Sequence, residues 1–203
     1  MLQSGHIFIV SAASGTGKTT LVSRLSARQP NIRISISHTT RMPREGEQNG
    51  VHYHFVSRSK FEDMIASNAF IEHANVYGNY YGTSLQAVES LTQQGYNVIL
   101  EIDVQGAEQI RRLLPNATSI FILPPSMTEL TERLKNRGTD SEDVIAYRLA
   151  KSREEIEQSF LFDYVIVNQD LNQAEQDLLA IIRSVGLCAK AQQQTITRIL
   201  SGK

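Results

Sequence analysis

The 203-residue chain has no tryptophan, one cysteine and five prolines. A lone thiol, Cys188, cannot form an internal disulfide, so the fold must rest on its apolar core and suits a reducing compartment. Neither sign of charge is in excess: 20 Lys and Arg against 21 Asp and Glu leave a formal net charge of −1. No global basic field therefore draws the chain to nucleic acid or to an anionic membrane. Anionic ligands must be held by local clusters of arginine, lysine and backbone N–H groups. Long hydrophobic runs are missing as well: "IFIV" (7–10) and "IFIL" (120–123) are far too short to span a bilayer. "MLQSGH" (1–6) leads straight into a strand-like run and leaves no room for a signal peptide. These absences predict a soluble cytoplasmic protein with neither nucleic acid nor membrane as partner. Self-association as a homo-oligomer stays compatible with them. With 41% hydrophobic residues, the chain has material for one sizeable domain or for a domain carrying a small insertion.

What is present is an alternation of short apolar runs with longer helical patterns. "HIFIV" (6–10), "RISIS" (33–37), "YNVIL" (96–100), "SIFIL" (119–123) and "YVIVN" (164–168) read as strands. Helical spacing marks 17–28, 84–94, 105–114, 126–136, 141–159 and 171–184. Strands rich in Ile and Val, unalternated and separated by helices, predict a parallel sheet covered on both faces. The middle breaks this rhythm: "GVHYHFV" (50–56) alternates, and an aromatic, glycine-punctuated turn "VYGNYYGTS" (76–84) follows. That predicts a small inserted lobe over about 34–96. From about Val185 the tail is polar and expected to be helical.

The first motif is "SAASGTGKT" (11–19), between a strand and a helix. Successive backbone N–H groups of such a loop form an anion nest, and the helix N-terminus adds a favourable dipole. Ala12, Ala13, Ser14, Gly15, Thr16 and Gly17 would cradle the phosphates of a nucleoside triphosphate. Lys18 would reach the β- and γ-phosphates, and the Thr19 hydroxyl would ligate Mg²⁺ together with phosphate and water. Ala12 stands where the pattern usually begins with glycine, which is harmless if its φ is negative and strained if positive. The loop predicts a nucleotide but no particular reaction.

The acceptor is sought in "SISHTTRMPREGEQNGVHYHF" (35–55). Arg41 and Arg44 straddle Pro43, and two guanidinium forks close together match a phosphate dianion. In "FIEHANVYGNYYGTS" (70–84), Glu72 with a nearby hydroxyl can read a base edge. Guanine presents a ring N–H beside an exocyclic amine, two donors that a carboxylate accepts together, whereas adenine offers a bare acceptor there. Buried pairing of this kind rejects the wrong base by on the order of 10⁴-fold. "VILEIDVQGAEQI" (98–110) puts Glu101 and Asp103 after a strand, where an acid can serve a metal shell or a substrate, and Gly106 is expected to permit a tight turn into the next helix. In "ERLKNRGTDSEDVIAYRL" (132–149), Arg137 and Arg148 suit a mobile lid over the phosphates. Arg133 reads as a surface residue paired with Glu132. "HYH" (52–54) offers two histidines but no third ligand nearby, so solvent-facing histidines are expected rather than zinc.

Taken together, "SGTGKTTL", "SHTTRMPREGEQNGVHYHF", "FIEHANVYGNYYGTS", "EIDVQGAEQI", "ILPPS", "RLKNRGTDSE" and "YVIVN" resemble the guanylate kinase family, from about Gly5 to Arg183. The resemblance implies a P-loop NTPase-type α/β fold: a core (about 5–33, 97–125 and 155–184), an inserted α+β GMP-binding lobe (about 34–96) and a helical lid (about 126–154), with 185–203 as tail. It implies ATP-dependent phosphorylation of GMP, with dGMP as a further acceptor and Mg²⁺ as cofactor. Ser37, Arg41, Arg44, Tyr53 and Tyr81 would hold the GMP phosphate, and Glu72, Thr83 and Asp103 would contact guanine. Lys18, Arg41, Arg137 and Arg148 would be catalytic, and Asn168 would lie near the adenine. The family often carries alanine at the position of Ala12, usually proline at that of Ala13, and often aspartate at that of Glu101. Two alternatives stand beside this reading: a non-catalytic phosphopeptide-binding module of the same family, and a kinase for another nucleoside monophosphate. The intact loop and lid arginines speak against the first; Glu72, Thr83 and Asp103 speak against the second.

Overall fold

A computed structural model describes residues 5–76, 78–136 and 142–202. Its first half runs β1 (Ile7–Ala12), α1 (Lys18–Arg28), β2 (Ile32–Ile34), β3 (His38–Thr39), β4 (His54–Phe55), α2 (Arg58–Ala66), β5 (Phe70–Val76), β6 (Asn79–Ser84) and α3 (Leu85–Gln93). It continues with β7 (Asn97–Glu101), α4 (Val104–Leu113), β8 (Thr118–Leu123), α5 (Met127–Lys135), α6 (Glu142–Glu157), β9 (Tyr164–Val167), α7 (Leu171–Leu187) and α8 (Gln193–Leu200). The apolar runs assemble into a five-stranded sheet in the order β2-β7-β1-β8-β9, with every pairing parallel.

The unalternated strands need cover on both faces, and they have it. Phe8, Val10, Ile120 and Ile122 pack against Leu21, Val22 and Leu25 of α1 and Leu178 and Ile182 of α7. On the opposite face Ile9, Val98 and Leu100 meet Val88 of α3 and Ala107 and Ile110 of α4. The neighbours of β1, β7 and β8, lie on its opposite sides, and the chain crosses over β1 from one to the other through α4. The carboxyl end of β1 therefore opens on the crevice where parallel α/β sheets bind ligands.

A second sheet has the order β4-β3-β6-β5. Its core is aromatic: Phe61 stacks on Phe70 at 4.4 Å and on Tyr80 at 5.3 Å between ring centroids. Gly82 is required there, because a Cβ would stand 2.9 Å from the Phe61 ring. Helices α5 and α6 form a third packing unit through Leu130, Leu134 and Ile145.

Three details differ from the sequence expectation. "RISIS" is not one strand. Ile32–Ile34 pair with β7, and the chain then crosses to the second sheet through buried Ser35 and Ser37. Of "GVHYHFV" only His54–Phe55 are strand, because the preceding residues turn back, with the Gln48 N–H donating to His52 Nδ1 at 3.1 Å. Helix α7 runs on to Leu187, past its expected end at 184, while the tail, expected to be helical, holds the helix Gln193–Leu200. Among the described residues, no helix is long and apolar enough to cross a membrane.

Candidate active site

The phosphate loop occupies the carboxyl end of β1. Gly15 and Gly17 have φ of +92° and +90°, the left-handed region that favours glycine. Ala12 is the last residue of β1, and among the described residues only Asn68 departs from negative φ without being glycine. The alanine thus meets no backbone strain. Asn168 is buried beneath the loop. Its Nδ2 donates to the Thr16 carbonyl at 2.7 Å, and a Cβ on Gly17 would stand 2.7 Å from that nitrogen. Asn168 therefore lies outside the cleft lining and acts on the loop from below. Lys18 begins α1, and its Nζ donates to the Ile102 carbonyl at 2.9 Å. The Thr19 hydroxyl donates to Glu101 Oε1, which joins two hard oxygens at the helix end of the loop.

A cleft of about 330 Å³ lies between loop, second sheet and α6. Residues 12–19, Ser37, Arg41, Arg44, Tyr53, Glu72, Tyr81, Asp103 and Arg148 all line it, so segments far apart in sequence converge. Strand alternation explains the selection on β6. Tyr81 faces the cleft, whereas neighbouring Tyr80 turns to the opposite face, stacks on Phe61 and accepts from Arg58 at 3.1 Å.

The carboxylate of Glu72, on β5, is buried. Its register partner on β6 is Thr83, whose hydroxyl donates to Glu72 Oε1 at 2.5 Å, with Ser37 Oγ 3.4 Å beyond. Burial pushes the Glu72 carboxyl up to about 7, against the Thr83 hydroxyl bond and with the help of Asp103. Asp103 caps α4, its Oδ1 accepting from the Gly106 N–H at 2.8 Å.

Gly106 corrects a sequence expectation. It sits inside the first turn of α4 and has no positive φ, so it does not serve a tight turn. A Cβ there would stand 2.5 Å from Glu72 Oε2; glycine makes room for the carboxylate. Alanine favours a helix over glycine by up to about 1 kcal/mol, so Gly106→Ala separates the two roles. For the GMP that the resemblance implies as acceptor, steady-state kinetics and melting should show the KM raised about tenfold or more, the effect of ~1.4 kcal/mol, with the KM for the implied ATP and the stability intact.

Arg41 does not stand free beside Arg44. Its guanidinium forms a fork with Glu47, Nη1 to Oε2 at 3.0 Å and Nη2 to Oε1 at 2.8 Å, and lies 5.5 Å from the Tyr53 ring centroid. Glu47 also accepts the Arg44 N–H at 2.7 Å. The Arg41 bond holds its carboxyl below the usual range. Glu47 thus fixes the Arg41 guanidinium and the backbone of Arg44, and sequence reasoning assigned it no role. Glu47→Gln keeps one acceptor but loses the ionic fork. It should raise the KM for the implied GMP acceptor about tenfold, the ~1.4 kcal/mol of a charge-assisted bond, and leave the KM for the implied ATP in place. Burial and the neighbouring Glu101 push the Tyr53 phenol up to about 12, so it stays a neutral donor.

Arg133 corrects another expectation. It pairs with Glu129 at 3.1 Å rather than Glu132, and its two Nη atoms reach the carbonyls of Thr16 and Asn168, each at 3.3 Å. The arginine thereby ties α5 to the loop. Its i, i+4 spacing from Glu129 was the available signal. Arg137 lies outside the described residues. Glu155 of α6 also lines the cleft and escaped the sequence reading. His54 is not solvent-facing as expected: its ring stacks on His38 at 4.6 Å. Among the described residues no group of three His, Cys, Asp or Glu could hold a metal by itself.

The family model and the curated relatives point to one family. The family model described as "Guanylate kinase" matches residues 4–185. The chain is 61% identical over 198 residues to the guanylate kinase of Neisseria gonorrhoeae, covering 98% of this chain and 97% of that one. It is 48% identical over 202 residues to that of Escherichia coli, covering 98% of each. A crystal structure of guanylate kinase from Anaplasma phagocytophilum matches with a TM-score of 0.75 at 35% identity, over 91% of this chain and 88% of that one.

Proposed function

The chain belongs to the guanylate kinase family and transfers a phosphoryl group from ATP to GMP, and from that premise we propose how its residues divide the work. Full-length relatives at 48% and 61% identity set aside the phosphopeptide module and a kinase for another monophosphate. The smaller sheet and its flanks, about 34–96, form the GMP-binding lobe; about 126–154 form the lid; the remainder to 184 is the core.

GMP lies with its base at Glu72, Thr83 and Asp103 and its phosphate at Ser37, Arg41, Arg44, Tyr53 and Tyr81. The observation that carries this is the buried Glu72 carboxylate, at which Thr83 is register partner and hydroxyl donor. Such a carboxylate, raised by burial, gains most from a ligand that brings two N–H donors to it. dGMP offers the same base and phosphate and is a second acceptor. ATP lies along residues 12–19, and Asn168 serves it indirectly by fixing the Thr16 carbonyl.

No side chain has to act as nucleophile, because a GMP phosphate oxygen attacks the γ-phosphorus in line as ADP leaves. Lys18, Arg41, Arg148 and Arg137 offset the charge that spreads over the transferred group, and lid closure excludes water. The donor chemistry of Thr19 and Glu101, two hard oxygens held together, fits Mg²⁺, which keeps several waters and binds phosphates through few protein ligands. When bound, the ion neutralises the phosphates. Thr19 would hold it directly and Glu101 through water.

Calorimetric titration tests this division. GMP is expected to bind at 1:1 without magnesium, and an unreactive ATP analogue with Mg²⁺ is expected to bind equally well to the GMP-saturated enzyme. Mutual exclusion of the two would overturn the two-site assignment.

A further inference from the structure

Gln109 has no part in the division of work above, yet it sits at the seam between the elements that hold the base. Strand β5, which carries Glu72, is an outer strand of the smaller sheet. The outer side of such a strand presents backbone groups without a ladder partner. At His73, directly after Glu72, both groups are taken by one side chain. The His73 N–H donates to Gln109 Oε1 at 3.2 Å, and Gln109 Nε2 donates to the His73 carbonyl at 2.8 Å. A primary amide suits this task because it offers an acceptor and a donor side by side. Gln109 thereby stands in for one residue of a further strand.

The ladder between β5 and β6 is irregular just before this point. Phe70 pairs with Ser84 and Glu72 with Thr83, so Ile71 is an extra residue in β5. An extra residue bends its strand and disrupts the ladder locally, which leaves the backbone ahead of Glu72 less firmly held. Behind Glu72, the Gln109 amide ties the backbone to α4. Gln109 lies three residues from Gly106 and so on the same face of that helix, and Gly106 leaves the room that Glu72 Oε2 occupies. Asp103 caps the same helix, and α4 rests on the large sheet through Ala107 and Ile110. One turn of α4 thus receives the carboxylate, and the next grips the strand that carries it.

We propose that Gln109 is a positioning residue for guanine recognition: by gripping the β5 backbone at His73, it sets the Glu72 carboxylate of the smaller sheet relative to Asp103 of the core, so that both donors of the base are met together. This role rests on the assignment of guanine to Glu72. Hydrogen bonds weaken steeply with misalignment, and a carboxylate that must meet two donors at once tolerates less displacement than one that meets a single donor.

The test compares GMP with inosine monophosphate, which keeps the ring N–H and lacks the exocyclic amine, in steady-state kinetics with MgATP. The full chain is used as wild type, Gln109→Met, Gln109→Ala, Glu72→Gln and Glu72→Gln combined with Gln109→Met. Methionine keeps the length of the side chain and loses both hydrogen bonds; alanine loses the packing as well. In both Gln109 variants kcat/KM for GMP is expected to fall about tenfold, the scale of one or two net hydrogen bonds, through KM rather than kcat. The loss with inosine monophosphate should be about twofold, because only one donor is misaligned, and the KM for ATP should hold. In the Glu72→Gln background, adding Gln109→Met should change the preference for GMP by less than about twofold, the non-additivity of residues that act through one another. Equal losses with both acceptors, unchanged kinetics with GMP, or a KM for ATP raised as far as that for GMP would overturn the proposal while leaving the role of Glu72 standing. A wild-type chain without preference for GMP over inosine monophosphate would overturn the assignment of guanine to Glu72 instead.

Discussion

Lys18→Ala is expected to lower kcat by on the order of 10³-fold, the scale of losing a preorganised charge aimed at the transferred group, while GMP affinity stays within about twofold. The ammonium group begins α1 directly behind Gly17, and its hydrogen bond to the Ile102 carbonyl at 2.9 Å holds it across the crevice from β1 to the end of β7. Arginine cannot replace it as a point charge at this depth, because a planar fork needs a different set of acceptors. GMP is assigned to the smaller sheet, where Lys18 makes no hydrogen bond, so the loss should fall on chemistry and on ATP. Stopped-flow ADP release and calorimetry with GMP separate the two. A large loss of GMP affinity in this variant contradicts the division of the cleft.

The second large effect belongs to Glu72→Gln. One carboxylate oxygen becomes an amide NH2 that faces the guanine donors, so two charge-assisted bonds are lost or inverted. GMP affinity should fall by on the order of 10²-fold to 10³-fold, as for ~3–4 kcal/mol, with ATP binding unchanged. The same substitution has the opposite effect on stability without ligand. The folded pKa of about 7 lies above the ordinary value of 4.5, so the folded chain retains a proton that the unfolded chain has lost. Stability is therefore full below the lower value and declines as pH rises toward the upper one, by about 3 kcal/mol at most. Denaturant melts should show Glu72→Gln more stable than wild type at pH 8 and nearly equal to it at pH 4. Equal stabilities at both would contradict the burial argument.

The parts of this molecule legible in the sequence were those written in local pattern. Unalternated Ile and Val runs foretold the parallel sheet, and a loop between strand and helix foretold the phosphate nest at Gly15 and Gly17. The convergence of Arg41, Glu72, Tyr81 and Asp103 on one cleft rested on the family resemblance and became geometry only when the second sheet was folded. What stayed hidden was carried by ordinary charges and one glycine. Glu47 and Arg133 lie among other polar residues that read equally well as solvated surface. Each acquires a role only through a partner from a different element or across a turn: Arg41 and the Thr16 carbonyl. Gly106 looked like a turn residue, because spacing does not reveal that a carboxylate from β5 occupies the room a Cβ would take. Asn168 sits in a motif associated with the base, yet its amide is spent beneath the loop.

The most direct test of the account is an acceptor panel: steady-state ADP release from MgATP with GMP, dGMP, AMP, UMP and dTMP as acceptors. The buried Glu72 and Thr83, with Asp103 beside them, predict turnover with GMP and dGMP, and kcat/KM for AMP, UMP and dTMP lower by on the order of 10³-fold or more. Turnover of AMP comparable to that of GMP would contradict the role given to Glu72 and with it the reading of the cleft.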